Sequence, residues 1–283
     1  MKAGDGPFAG TPLADCRTVL LVHAHPDDET ISTGALLAAL ADSGRRTVLV
    51  TATRGELGEA VPGPHGRLAG TGAFAAHREG ELHRALAELG PVEHVFLGSP
   101  PARAAGLAPR RYTDSGMRWI RPGLAGPGEQ AGPEALTSAP AAEVVADLRA
   151  LCERVRPDAI VGDDEEGGYG HPDHVRCHLA ARAVAEELGV PGYGIVLPGG
   201  IDAEQDPERA ERAARERLEA WPGEAFRLAL EPWLPRQLAA LRRHESQLTV
   251  EDGHMVHSGG QRQLVRPSIG LLRWPAAGDA TAG

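Results

Sequence analysis

Two short segments of the chain combine imidazole rings with carboxylates, the side chains most used for metal binding and proton transfer. Residues 25–29 read HPDDE, and residues 167–174 read GGYGHPDH. Each segment follows a short apolar run, which predicts a turn at the end of a buried strand. The occurrence of two such segments at two strand ends favours one shared site.

The residue types suit a catalytic zinc ion. The chain has no CxxC motif, and zinc without thiolates takes His nitrogen and carboxylate oxygen, with three protein ligands and one position left for water. His25 and Asp28 could bind one metal ion from a single turn, and His174 could be the third ligand. Asp27 lies beside a ligand without being needed as one, so we predict it as the general base. Iron(II) would accept the same ligands.

Each of these residues also has a simpler interpretation. Asp28 could cap the helix that follows it. His174 could begin its helix without binding a ligand, and His171 could be an ordinary loop residue. Any one of the three is a weak signal alone, and only their joint occurrence supports a site.

A second ligand set would pair His174 with His178, which lie one helical turn apart as in zinc-binding helices. Val175 stands where those helices carry a glutamate, so we favour His178 as a helix-face residue. His23 precedes His25 by two residues on the same side of the strand, and we predict it to be a hydrogen-bonded core histidine.

Strand-like and helix-like runs alternate along the first 190 residues, which predicts an α/β fold with a Rossmann-like, mostly parallel sheet and helices on both faces. Such sheets bind ligands beyond the carboxyl ends of their strands, where both segments fall. Strands are predicted at 17–25, 46–53, 93–97 and 157–162, and helices at 30–42, 74–89, 140–155 and 174–188.

The remaining regions are less regular. Residues 98–139 form a long insertion rich in Pro and Gly, and such loops are usually functional lids or disordered. We assign residues 1–190 to the core and residues 191–283 to a small C-terminal cap that completes the same domain. In the cap we predict helices at 206–221 and 232–244 and two short strands within 253–274.

The HPDDE and GGYGHPDH segments, together with several shorter stretches, resemble the PIG-L/LmbE-like family of zinc-dependent deacetylases. Within the family, the likeness is closest to the mycothiol-pathway enzymes, namely the N-acetylglucosaminyl-inositol deacetylase and the mycothiol-conjugate amidase. The matching stretches are AHPDDE at 24–29, RGE at 54–56, RE at 78–79, TDSGM at 113–117, GGYGHPDH at 167–174, VRCH at 175–178 and, weakly, HESQ at 244–247.

The resemblance implies the same metal centre that the residue types suggest. His25, Asp28 and His174 would be the zinc ligands. Asp27 would be the general base that activates the attacking water.

The resemblance also implies roles for five further residues. His171 would stabilise the oxyanion and assist protonation of the leaving group, and Asp173 would orient His171. Tyr169 would hydrogen-bond the scissile carbonyl, while Arg78 and Asp114 would hold substrate hydroxyls. Two simpler readings stay open: Arg78 could be a solvated helix charge, and Asp114 could only begin a turn.

Composition limits the other function classes. The net charge of −10, from 29 basic and 39 acidic residues, repels phosphate backbones and argues against nucleic acid as a partner. The sequence has no apolar run of about 18 residues, the length that would predict a membrane span. No secretory signal is visible. The scattered Cys16, Cys152 and Cys177 suit a reducing cytosol. We expect a cytoplasmic protein with a small-molecule substrate, and homo-oligomerisation stays open.

The functional expectation is hydrolysis of an N-acyl amide, most simply N-acetyl, on an amino sugar such as N-acetylglucosaminyl-inositol or a natural-product glycoside. The alternatives are a mycothiol-conjugate type of amidase and a non-catalytic sugar-binding relative. Every position of the proposed ligand triad is filled, which disfavours the non-catalytic relative. No phosphate-binding glycine motif follows a strand, so a nucleotide-binding protein has no support.

Overall fold

The central sheet of the fold has seven strands. The structure, a computed structural model, describes residues 6–121, 124–197 and 207–275. The strands of this sheet are β1 (Thr18–His23), β2 (Arg46–Thr51), β3 (Glu93–Phe96), β6 (Ala159–Asp163), β7 (Gly192–Val196), β8 (Ala225–Ala229) and β12 (Ser268–Arg273). Their order across the sheet is β3-β2-β1-β6-β7-β12-β8.

Five neighbouring strands run parallel to one another, namely β3, β2, β1, β6 and β7. Strand β12 runs antiparallel to both of its neighbours, β7 and β8. From β1 the chain builds outward through β2 and β3, and then it returns to the other side of β1 to form β6 and β7. The strand order therefore reverses between β1 and β6. In open α/β sheets the crevice at such a reversal is the usual ligand site.

Helices cover both faces of the sheet, and the hydrophobic alternation within β1 explains how. The helices are α1 (Asp28–Asp42), α2 (Gly72–Leu89), α3 (Ala141–Val155), the short turn α4 (Gly167–Gly170), α5 (Pro172–Leu188), α6 (Pro207–Ala220) and α7 (Leu234–Leu241). Val19 and Leu21 pack with the leucines of α1 and α2, while Leu20 and Val22 pack with α3 and α5 on the opposite face.

The four predicted strands and four predicted core helices are all present, with shifted ends. Helix α5 begins at Pro172 instead of 174, because proline is favourable at a first helical position. Helix α1 begins at Asp28, two residues earlier than predicted. The sequence analysis missed β7 (Gly192–Val196), whose sequence GYGIV carries two glycines.

The insertion at 98–139 is folded onto the core. Tyr112 is fully buried and donates a hydrogen bond from its hydroxyl to Asp147 at 2.8 Å. Beyond it, strands β4 (Met117–Arg121) and β5 (Leu124–Pro127) pair in antiparallel fashion. The expectation of a disordered loop is therefore wrong for the described part of this segment, which is folded and packs against the core through Tyr112.

The C-terminal segment contains more strands than predicted. Strands β9 (Leu248–Glu251), β10 (His254–His257) and β11 (Arg262–Leu264) form a separate antiparallel sheet. Strand β12 returns to the main sheet, so the region 253–274 holds three strands and not two. A tight 3-10 turn at Glu231–Trp233 precedes α7, which makes that helix shorter than predicted. Within the described ranges, no helix is both long and apolar enough to cross a membrane.

The end of the described chain is fixed to β7 through Trp274. Its indole is 4% exposed, and its backbone N–H donates to the carbonyl of Gly192 at 2.9 Å. A side-chain carbon added at Gly192 would overlap the indole ring. Glycine is therefore needed at this position so that the tryptophan can lie flat on the strand.

We predict that Gly192→Ala lowers the free energy of unfolding by about 1–3 kcal/mol, the usual effect of overpacking a filled site. Urea unfolding followed by circular dichroism measures it. Gly72→Ala is the matched control, since Gly72 lies at the start of α2 with open space around its Cα. Equal stability of the two variants would contradict the packing role of Trp274.

Candidate metal centre and active site

The HPDDE segment forms the tight connection between β1 and α1. The Asp28 side chain folds back, so that its Oδ2 accepts a hydrogen bond from the backbone N–H of His25 at 2.8 Å. The same oxygen lies 3.2 Å from His25 Nδ1. Asp28 is thus held by its own loop and does not cap α1 through its side chain.

The second segment meets this loop across the gap between β1 and β6. His174, in the first turn of α5, places its Nε2 3.2 Å from Asp28 Oδ2. His171 lies beside both imidazoles, with ring centroids 4.7 Å from His25 and 4.9 Å from His174. The structure therefore brings together the three predicted ligands, all of them largely buried, and adds a third imidazole that could also reach an ion.

These contacts fit a metal ion. Two ligand atoms on a tetrahedral zinc ion are about 3.3 Å apart, close to the 3.2 Å that separates Asp28 Oδ2 from each imidazole nitrogen. The Nε2 atom of His174 is buried and, although it lies 3.2 Å from Asp28 Oδ2, it is not in hydrogen-bond geometry with any residue that the structure describes. A buried nitrogen of this kind is satisfied when it binds a cation.

Two further carboxylates stand behind the imidazoles. Asp163, at the end of β6, has its Oδ1 3.6 Å from His174 Nδ1. The Asp173 carboxylate lies 3.1 Å from His25 Nε2. Carboxylates in this position orient a metal-binding imidazole and raise its basicity.

The contact of Asp173 differs from the predicted one. We expected its side chain to orient His171, but the carboxylate faces His25, and only the backbone N–H of Asp173 reaches His171 Nδ1, at 3.2 Å. Asp173 is itself held by Ser115 of the insertion, which donates from both its backbone N–H and its hydroxyl. The helix geometry of α5 points the carboxylate inward, a direction that the motif alone does not reveal.

The electrostatic field of the cluster favours positive charge. Burial lowers the pKa of His174, but the carboxylates of Asp28 and Asp163 outweigh it and raise that pKa to about 9. His25 behaves in the same way: burial lowers its pKa, and the carboxylates of Asp114, Asp173 and Asp28 together raise it well above the ordinary value. The site can therefore stabilise a cation among its imidazoles.

Asp27 lies next to the cluster in a strained conformation. Its φ is +106°, a region that residues with a Cβ adopt at a cost of about 1–3 kcal/mol. This turn directs the carboxylate to Arg78, whose Nη2 is 3.3 Å from Asp27 Oδ1. Burial raises the pKa of Asp27 to about 6, against the opposing charge of Arg78. A carboxylate with this pKa can both take and return a proton near neutral pH.

The alternative of a solvated Arg78 is wrong, because the residue is 3% exposed. Its guanidinium donates to the carbonyl of Gly55 at 2.8 Å and to that of Pro26 at 2.5 Å. Its Nη2 group is thus directed at the loop that carries Asp27, while Nη1 binds the segment after β2. Arg78 also lines the cavity described below.

Asp114 fits both of its predicted roles, as a residue that begins a turn and as one that could contact the substrate. Its Oδ1 accepts from the backbone N–H of Gly116 at 2.8 Å, which is the turn contact of an aspartate that begins a turn. The same carboxylate faces the site, 3.7 Å from His25 Nε2, and lines the cavity. The turn fixes Asp114 where a substrate could contact it.

His171 and Tyr169 lie at the cavity wall over the imidazole cluster. The His171 Nδ1 accepts the N–H of Asp173, so the neutral ring carries its hydrogen on Nε2. Burial, followed by the charges of His25 and His174, lowers the pKa of His171 to about 2. Tyr169 packs edge-on against His171 and His174 with centroid distances of 6.0 and 5.6 Å.

The two histidines assigned to other roles lie as predicted. His23 is fully buried, and its Nε2 lies 3.0 Å from the hydroxyl of Thr33. His178 is buried, with Nδ1 2.9 Å from the carbonyl of Asp163 and its ring against Trp274. Neither histidine lines the cavity, which removes the support for the His174–His178 ligand set.

The sequence analysis missed a buried pair that links the first segment to the C-terminal part. Glu29 and His244 are fully buried, with Oε1 and Nε2 3.1 Å apart. Glu29 Oε2 also accepts the backbone N–H of Asp27 at 3.0 Å. Glu29 ends the HPDDE segment and His244 begins HESQ, so both were visible as motif residues without a known partner.

The cluster opens into a cavity of about 900 Å³. Its inner end carries the carboxylates and imidazoles. The hairpin β4–β5, the residues after β10 and helix α6 form its walls, with Trp119, Arg217, Gln247, Ser258, Gln261 and Gln263 among the lining residues. A cavity of this volume accommodates a ligand of disaccharide size.

Comparison with known proteins confirms the resemblance inferred from the motifs. Residues 20–185 match the profile of the PIG-L family, described as GlcNAc-PI de-N-acetylase. The 1D-myo-inositol 2-acetamido-2-deoxy-alpha-D-glucopyranoside deacetylase of Kineococcus radiotolerans is 37% identical over 260 residues, which cover 83% of this chain and 70% of the relative. The protein of the same name from Streptomyces griseus is 41% identical over 71% of this chain, but the alignment spans only 58% of that relative.

The fold is also shared with a solved structure. A deacetylase of the teicoplanin biosynthesis pathway superposes with a TM-score of 0.57 at 20% identity, over 92% of this chain and 100% of the other. At this identity the likeness concerns the fold alone. On the strength of the profile match and the Kineococcus relative, the chain belongs to the PIG-L family of GlcNAc-PI de-N-acetylases.

Proposed function

We propose that the chain is a metal-dependent deacetylase that hydrolyses the N-acetyl amide of an amino sugar linked to inositol. One observation carries the proposal: the Asp28 carboxylate contacts His25 and His174, beside the carboxylate of Asp27, at the inner end of a large cavity. The names of the relatives from Kineococcus and Streptomyces support the choice of substrate.

His25, Asp28 and His174 would hold the ion, and zinc matches their donor types best. When bound, zinc supplies a Lewis acid that polarises an amide carbonyl and makes water more acidic. Asp163 and Asp173 keep the two imidazoles in place, as their contacts with His174 and His25 indicate.

Asp27 moves the proton. Its carboxylate takes a proton from the attacking water, and the acid form then returns it to the amine that leaves. Arg78 holds this carboxylate at its Oδ1, and the raised pKa of Asp27 keeps both steps accessible near neutral pH.

His171 and Tyr169 stabilise the developing negative charge on the carbonyl oxygen. Because His171 Nδ1 accepts a backbone hydrogen bond, its Nε2–H is free to act as a donor toward the cavity. The lowered pKa of His171 makes the neutral ring a hydrogen-bond donor and leaves leaving-group protonation to Asp27. Preorganised donors of this kind stabilise an oxyanion.

The outer cavity suits a polyhydroxylated aglycone. Amide and hydroxyl groups of Gln247, Ser258, Gln261 and Gln263 line the cavity, and such groups can donate and accept hydrogen bonds with hydroxyls. Arg78 and Asp114, closer to the ligand cluster, would contact the hydroxyls of the sugar ring.

We predict that Asp27→Asn retains its metal and loses about two to four decades of turnover, the usual effect of removing a general base. Asparagine has the same shape and tolerates positive φ, so the loop should keep its conformation. Acetate release from N-acetylglucosaminyl-inositol measures the rate, and elemental analysis measures the metal. Full activity of this variant would refute the role of Asp27.

Metal content distinguishes two ligand sets. One consists of His25, Asp28 and His174, and in the other His171 replaces Asp28. We predict that Asp28→Ala loses the active-site metal, while His171→Ala keeps it and turns over about 100- to 1,000-fold more slowly, as after loss of an oxyanion donor. Equilibrium dialysis against zinc gives the affinity of each variant. Loss of metal from His171→Ala with retention in Asp28→Ala would assign the third position to His171.

Substrate class can be tested with two compounds. We predict that the chain releases acetate from N-acetylglucosaminyl-inositol and leaves the cysteinyl amide of a bimane-labelled mycothiol intact. Asp27→Asn serves as the control for contaminating hydrolases in both assays. Preferential cleavage of the mycothiol conjugate would identify the amidase activity instead.

A further inference from the structure

A second group of metal-ligating side chains lies outside the cavity, on the outer part of α2. His65 belongs to a 3-10 turn at Pro64–Arg67, while His77 and Glu81 lie one turn apart on α2. One imidazole nitrogen or carboxylate oxygen from each lies within 4.8 Å of the others. None of the three lines the cavity of the first site.

The distances within this group resemble those of the first site. His77 Nε2 is 3.2 Å from Glu81 Oε1, the separation expected for two ligands of one zinc ion. The ring centroids of His65 and His77 are 5.0 Å apart, with an angle of 36° between the ring planes. Glu245 Oε2 is 3.8 Å from His65 Nε2, which places a second carboxylate at the edge of the group.

The i,i+4 contact between His77 and Glu81 is not a hydrogen bond. The Nε2 atom of His77 lies 3.2 Å from Glu81 Oε1, yet this buried atom has no hydrogen-bond partner in the described part of the chain. Glu81 is fully buried, and no Lys or Arg of the described ranges forms an ion pair with it. Buried charges are normally paired or bound to metal, and a cation would satisfy both side chains at once.

Glu81 is already fixed in the orientation that a ligand needs. The backbone N–H and the hydroxyl of Ser246 each donate to one of its oxygens at 2.7 Å. Each carboxylate oxygen retains a further lone pair for a metal. Carboxylates that hold an ion are commonly hydrogen-bonded in this way.

We propose that His65, His77 and Glu81 form a second binding site for a divalent transition metal ion, with zinc as the best match to two imidazoles and a carboxylate. The ion fastens the turn of His65 to α2. Through Ser246 it also steadies Gln247, the next residue, which lines the cavity. This second ion has a structural role and takes no part in amide hydrolysis.

The stoichiometry of zinc binding tests the proposal. The full chain is dialysed against excess zinc and its metal content is determined. We expect two ions per chain in the unsubstituted protein, one in His77→Ala and two in His83→Ala. His83 is the matched control, an exposed histidine on the same helix. One ion in the unsubstituted protein, or two in His77→Ala, would overturn the proposal.

Asp28→Ala separates this proposal from the active-site assignment. In that background, cobalt(II) should still bind one equivalent with the visible absorption of a nitrogen- and oxygen-ligated ion, and His77→Ala should abolish it. If Asp28→Ala retains both ions, the ligands proposed for the active site are wrong, while loss of one ion in His77→Ala still supports the second site.

His65→Ala provides an independent variant, because its surface turn can change without affecting α2. Circular dichroism verifies that each variant is folded. Zinc should raise the melting temperature of Asp28→Ala and leave that of Asp28→Ala with His65→Ala unchanged. An equal rise in the two proteins would show that the ion binds elsewhere.

Discussion

The contact of Asp28 with both His25 and His174 requires two distant parts of the chain to end at the same point. Asp28 follows β1 and His174 follows β6, and these two strands are neighbours in the sheet. The reversal of strand order opens a crevice between their carboxyl ends, because the following helices depart to opposite faces. The parallel sheet is therefore what makes a shared ligand cluster possible, and the loops only adjust it.

Several buried carboxylates surround that contact. Asp27, Asp28, Asp114, Asp163 and Asp173 surround the imidazoles with little exposure. Burying several carboxylates together is unfavourable unless positive charge or hydrogen bonds compensate. Part of the compensation comes from within the protein, through Arg78 and Ser115. A bound cation would compensate the remaining negative charge. Metal binding should therefore stabilise the whole crevice.

The sequence predicted the parallel core and the ligand segments well, because β1, β2 and β6 are continuous apolar runs and HPDDE follows one of them directly. It could not predict contacts that depend on the direction of a side chain. Asp173 has the residue type and the position expected, yet its carboxylate faces His25. Strand β7 escaped detection because two of its five residues are glycine, and its identity as a strand comes from pairing with β6 and β12. Strands β4 and β5 were not predicted either, because their pairing with each other defines them and most residues of β4 are exposed.

Strand β12 follows every other described strand in the chain, yet it lies between β7 and β8 and not at an edge. During synthesis, β7 is made well before the strand that covers its side, and among the described residues β12 is the only strand that pairs with β8. An uncovered strand edge is prone to pair with other chains. The sheet therefore cannot close before residues 268–273 have been made, and until then β7 and β8 lack the strand that lies between them.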